Sequence, residues 1–186
     1  VDYALRAIPA HQALAMLFES RSQAGPAENE LRAAIAKAGK LIAVDPQNAV
    51  ARTLAAAAHL ELGKVLLASN SGDSVAEMNS GCTLASQLLA KDQTPYRWRF
   101  AQSECLALKA RLALAGKDAG NPIDLAERAV VRGRNLNSGD AISDAYALAS
   151  YQRLLGDAKA RAGDHAGATS SWLTGLNELP ANTVER

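Results

Sequence analysis

The sequence predicts an all-α protein, and three observations carry that reading. Apolar residues make up 48% of the 186 positions but aromatics only 4%, so Ala and Leu must build the core. Both are strong helix formers, and small side chains let helices pack closely. Val and Ile are sparse and rarely alternate with polar residues, which argues against strands. Helix-length segments recur between short Gly, Pro, Asn and Asp clusters. A chain of this length buries a sizeable core, and residues 1–186 are expected to form a single domain.

Taken in order, "VDYALRAI" (1–8) is a short helical piece that Pro9 interrupts or restarts, with a first full helix over about 9–23. "QAGPAEN" (23–29) reads as a loop. A second helix covers about 27–44 and stops at "DPQN" (45–48), where Pro46 forbids continuation. The third runs over about 48–68. "SNSGDS" (69–74) is a polar link with capping chemistry at its end. The fourth helix spans about 75–91 and the fifth about 95–115. After "GKDAGNP" (116–122), Pro122 opens a sixth over about 122–136, which "NSGD" (137–140) breaks. The seventh and eighth cover about 141–162 and 165–179.

The fifth helix has two apolar stripes. Trp98, Ala101, Cys105, Leu108, Leu112 and Ala115 step by 3 and 4, and Phe100, Ala107 and Leu114 form a rotated second stripe. A helix with two apolar faces lies between neighbours. The eight helices group as pairs over about 9–44, 48–91, 95–136 and 141–179. Internal repetition supports the pairing. "LIAVDPQNAVAR" (41–52) resembles "LLAKDQTPYRWR" (88–99), and "LALKARLALAG" (106–116) resembles "RLLGDAKARAG" (153–163), both at an offset of 47. Leu62, Leu108 and Leu155 then fall 46 and 47 apart.

The last pair carries the clearest pattern. In "LLGDAKARAGDHAGATSSWLTGLNELPAN" (154–182), Gly156, Ala168, Trp172, Gly175 and Pro180 step by 12, 4, 3 and 5 around the turn at Gly163–Asp164. Small residues let two antiparallel helices approach, an aromatic fills the gap, and Pro ends the second helix. This stretch resembles a tetratricopeptide repeat, although Gln152 and Lys159 stand where that family usually has large aromatics. The other pairs resemble it in topology and period only. The resemblance implies a right-handed α-α superhelix of about four helical hairpins. It assigns Trp172 to the core and the first helix of each pair to a concave surface.

Function is read against what the composition excludes. A formal charge of +1 argues against general nucleic-acid binding. No apolar run reaches bilayer length, and no signal peptide is visible. The chain opens at Val1 in mid-pattern and is expected to be a piece of something longer. Cys82 and Cys105 read as small buried hydrophobes, with a bridge left open because they fall on helices adjacent in sequence. His11, His59 and His165 lie in different pairs without a ligand-spaced partner, so no metal is expected. His59, Cys105 and Gln152 share one repeat position, a partly buried helix contact. The glycines lie in helix-end clusters such as "SGD" and "AGKD", not in a phosphate loop, and no cofactor is expected. No nucleophile elbow is legible, and a Cys105–His59 pair lacks an orienting third group, so no catalytic residue is assigned.

What remains is a surface for a protein partner. "KAR" occurs at Lys109–Arg111 and again at Lys159–Arg161, with Arg52, Arg97 and Arg99 on the third and fifth helices. By the resemblance, these cations face an acidic peptide or a terminal carboxylate from the concave side. The plainer reading is a solvated face with pairs such as Asp157–Arg161 at i, i+4. Tyr96, Tyr146 and Tyr151 add interface-type aromatics. The expected peptide-binding set is therefore Arg52, Tyr96, Arg97, Lys109, Tyr146, Tyr151 and Lys159. The chain is expected to be a non-enzymatic interaction module for a peptide or partner helix. The alternative is a sensory or scaffolding region acting on an upstream kinase or DNA-binding domain. Degenerate Ala-rich arrays of this kind resemble those appended to bacterial signalling proteins, on either side of the membrane.

Overall fold

A computed structural model describes residues 2–180, without the side chains of Asp2 and Ala4. Val1 and residues 181–186, including the end of the repeat-like stretch, lie outside the described residues. Among those described there are eight helices and no strand: α1 (Asp2–Ser20), α2 (Ala24–Val44), α3 (Ala49–Ala68), α4 (Ser74–Leu89), α5 (Tyr96–Leu114), α6 (Pro122–Gly133), α7 (Ala141–Arg161) and α8 (His165–Glu178). The all-α expectation holds.

Helix starts follow capping chemistry. Asn48 Oδ1 accepts from the Ala51 N–H at 2.9 Å, Asn121 Oδ1 from Ile123 at 2.9 Å, and Asp164 Oδ1 from Gly167 at 2.8 Å. Each satisfies a first-turn donor that has no intrahelical acceptor. Gly163 turns the chain between α7 and α8 at φ 87°, where a side chain would be strained.

Two expectations near the N-terminus are corrected. α1 does not restart at Pro9 but runs through it. Proline there removes one i→i−4 bond. Ile8 is fully buried beside the half-buried Leu5, and this packing holds the segment before Pro9 on the helix. Nor is 23–29 a loop. α2 begins at Ala24, with Gly25 and Pro26 in its first turn, where a missing N–H costs nothing.

The helices fall into two compact units, residues 1–93 and 94–186. In the first, α1 packs on α2, α2 on α3, and α3 on α4, while α1 also touches α3. Its core is Ala-rich: Ile8, Ala34, Ala38, Leu54, Ala55 and Ala58 form one cluster. Ala15, Ala27, Leu31, Leu62, Val65 and Leu66 form another. Both hairpins carry the same polar clip. His11 Nδ1 lies 2.6 Å from Glu30 Oε2, and His59 Nδ1 lies 2.7 Å from Glu77 Oε2. His59 is thus a half-buried contact between paired helices. The two clips set α1 against α3 with a shift of 48 residues.

The second unit repeats the neighbour pattern: α5 on α6, α6 on α7, α7 on α8, with α5 touching α7. Leu106, Ala110, Ala129, Val130, Leu148, Tyr151 and Leu154 belong to its core. Of the two readings of the cysteines, the open alternative of a bridge holds over the plain apolar one: neither Cys82 nor Cys105 is a free thiol, and both are disulfide-bonded. Sequence reasoning weighed them as apolar fillers. Whether two thiols meet in bonding geometry depends on packing that spacing alone does not reveal.

Candidate functional site

α7 and α8 are held close by glycines. At Gly156, an added Cβ would lie 2.2 Å from Trp172 Nε1. At Gly175, one would lie 3.0 Å from Gln152 Cβ and 3.1 Å from the Ala149 carbonyl oxygen. The backbones therefore approach where no side chain intervenes. The Trp172 indole lies against Gly156 and donates from Nε1 to Asp157 Oδ1 at 3.1 Å. It is 38% exposed, so the expectation of a core tryptophan is corrected. The slot beside Gly156 takes the ring's edge and leaves the rest in solvent.

Beside this ring, α7 and α8 frame a cleft of about 510 Å³. Tyr146, Ala149, Arg153 and Asp157 line it from one face of α7; Trp172, Gly175, Leu176 and Leu179 line it with α8. Steps of 3 and 4 put the α7 residues on one face. The lining is apolar with two charges. Asp157 is occupied by the indole N–H. Arg153 is exposed and has no hydrogen bond or ion pair among the described residues. Tyr146, 46% exposed, stands at the edge.

Of the seven residues expected to bind a peptide, only Tyr146 lines this cleft. Arg52, in the first unit, donates from Nη1 to the Pro46 carbonyl at 3.3 Å and from Nη2 to Gln87 Oε1, which fastens α3 to its neighbours. Lys159 is half-buried and reaches Ser171 Oγ at 3.3 Å across the α7–α8 pair. Lys109 is half-buried and Arg97 exposed. Tyr96 stacks on Phe100 with ring centroids 5.8 Å apart. Burial, and then the Asp144 carboxylate, push its hydroxyl above the usual tyrosine range.

Tyr151 is corrected outright: it is fully buried and offers no surface to a partner. Its ring packs on Gly133, where an added Cβ would lie 2.8 Å away, and its hydroxyl donates to Glu104 Oε1 at 2.7 Å. Burial, with Glu104 beside it, raises that hydroxyl far above its ordinary value. Sequence reasoning missed Arg153, Leu176 and Leu179. The signal was available in the 146–149–153–157 steps of α7. The Gly156–Trp172 pair, assigned to the core, was the other half of it.

A second cleft, of about 410 Å³, is basic and lined by Arg99, Arg128, Val131, Arg132 and Asn135. Its cations are engaged: Arg99 donates to the carbonyls of Asn135 and Leu136 at 3.3 and 2.8 Å, and Arg128 pairs with Asp124 at 3.4 Å. No group of three or more His, Cys, Asp or Glu that could hold a metal ion occurs among the described residues. No described helix is long and apolar enough to cross a membrane. No protein-family model matches this chain, and no curated protein matches it.

Proposed function

We propose that this chain is a non-catalytic protein-interaction module of the tetratricopeptide-like solenoid type, and that the α7–α8 cleft docks a helix of another polypeptide. The observation that carries the reading is the composition of that cleft. Tyr, Trp and Arg, the side chains that dominate interface energetics, stand together there beside the exposed Leu176 and the half-buried Leu179. A grooved apolar surface between two helices suits an amphipathic helix with anchors at i, i+3/i+4 and i+7. The neighbour pattern within each unit and the 47-residue sequence period support the solenoid part. Arg153 gives an acidic residue on the docked helix a place to pair.

The test is affinity capture with the wild-type chain and with Leu176→Arg, an exposed position whose substitution leaves the core intact. A partner retained by the wild type and lost by the variant, with helical content and melting unchanged, is the expected result. A partner retained equally by both would overturn the cleft as the docking site.

A further inference from the structure

The two His–Glu clips fix which residues of α1 and α3 are equivalent, and that equivalence shows an α1 face built like a buried helix contact. At the shift of 48, Ala10, Leu14 and Leu17 of α1 correspond to Ala58, Leu62 and Val65 of α3. The α3 residues are buried, in clusters shared with α2. The α1 residues point out: Ala10 is exposed, Leu14 is 43% exposed and Leu17 44%. α1 therefore carries the apolar stripe with which α3 meets a preceding helix, and the described residues of its unit leave it partly open.

The complementary half stands on α8. Three repeats of 47 place Leu31, Ala34, Ile35 and Ala38 of α2 opposite Trp172, Gly175 and Leu176 of α8 and Leu179 at its C-cap. Ala27 and Ala168, and Ala34 and Gly175, are buried in both helices, which supports the register. The four α2 residues pack in the clusters that join α2 to α3. Their α8 counterparts line the cleft, with Leu176 55% exposed. One end of the α2–α3 interface is thus written on α1, and the other on α8.

We propose that a second copy of this chain covers these faces: α1 of one molecule docks on the α7–α8 cleft of the next and rebuilds the α2–α3 interface between molecules. This rests on the cleft being a helix-docking site and names its occupant. The contact is heterologous, since the two surfaces differ, so association runs head to tail.

Sedimentation equilibrium over a concentration series tests it, with Leu14→Arg and Leu176→Arg prepared singly. The wild type is expected to gain mass with concentration beyond a dimer. Each variant alone is expected to be monomeric, because one of its two surfaces is blocked. Mixed together, the variants retain one good surface each and are expected to form a 1:1 heterodimer that goes no further. Leu17→Arg and Leu179→Arg form a second pair should either first substitution lower helical content. A wild type that stays monomeric throughout overturns the inference. If Leu176→Arg nevertheless loses a captured partner, the docking site survives with a different occupant. If it loses none, both fall. Self-association that neither variant disturbs, or a mixture that stays monomeric, also overturns the inference.

Discussion

A tyrosine hydroxyl held against a carboxylate cannot lose its proton without placing a second anion in a dry site. That is the position of Tyr151 beside Glu104. Its folded hydroxyl stays protonated far above the unfolded value of about 10. The folded chain therefore holds a proton that the unfolded chain releases, so this group's contribution is complete below about pH 10 and is lost as pH rises. The contribution falls by about 1.4 kcal/mol per pH unit at most. Urea denaturation between pH 7 and 11 is expected to show that slope in the wild type and a shallower one in Tyr151→Phe. At neutral pH the same variant is expected to lose about 1.5–3 kcal/mol, the usual worth of a hydrogen bond to a charged group. A second residue-scale test concerns Gly156. An alanine there meets Trp172 at 2.2 Å, so Gly156→Ala is expected to displace the indole and break its bond to Asp157. The expected loss is about 1–3 kcal/mol, the range for overpacking, read by chemical denaturation.

At the scale of elements, the eight helices were legible because Pro, Gly, Asn and Asp mark their ends with distinct chemistry. Asn48, Asn121 and Asp164 cap α3, α6 and α8, whereas Asp73, at the end of the 69–74 link where capping is expected, makes no side-chain cap to α4. The misread boundaries share one cause. Pro9 and Pro26 read as breaks in sequence, yet Pro26 sits in a first turn and Pro9 is carried by packing around Ile8. Local propensity sees the lost hydrogen bond and not the tertiary contacts that outweigh it. Pro9→Ala restores a donor to α1 and is expected to stabilise the chain by about 1–3 kcal/mol, measured by thermal unfolding. The site was less legible than the fold. Tyr146 and Tyr151 are five residues apart on α7, and one reaches solvent while the other is enclosed. That difference depends on which neighbours stand over each face, which a single helix's pattern leaves open. Lys159 and Arg52 were read as free cations because their acceptors, Ser171 and Gln87, come from other helices.

For the whole molecule, each unit has its own core, so residues 1–93 and 94–186 are expected to fold separately. Produced with Cys82→Ser and Cys105→Ser, each half should give a helical far-ultraviolet spectrum and a cooperative melt. A half that melts without cooperativity would show that its core depends on the other. The intact chain should take up no thiol label until it is reduced, because both cysteines are oxidised. Immediate labelling of a native sample would contradict this.

The half-open seat of Trp172 has a practical consequence. The chain has two tryptophans, and Trp172 is the one on the rim of the cleft. With Trp98→Phe as background, its emission becomes an internal optical gauge of occupancy. A helix settling over the ring would exclude water from it and move the emission to the blue. Docking could then be titrated in solution without any attached dye.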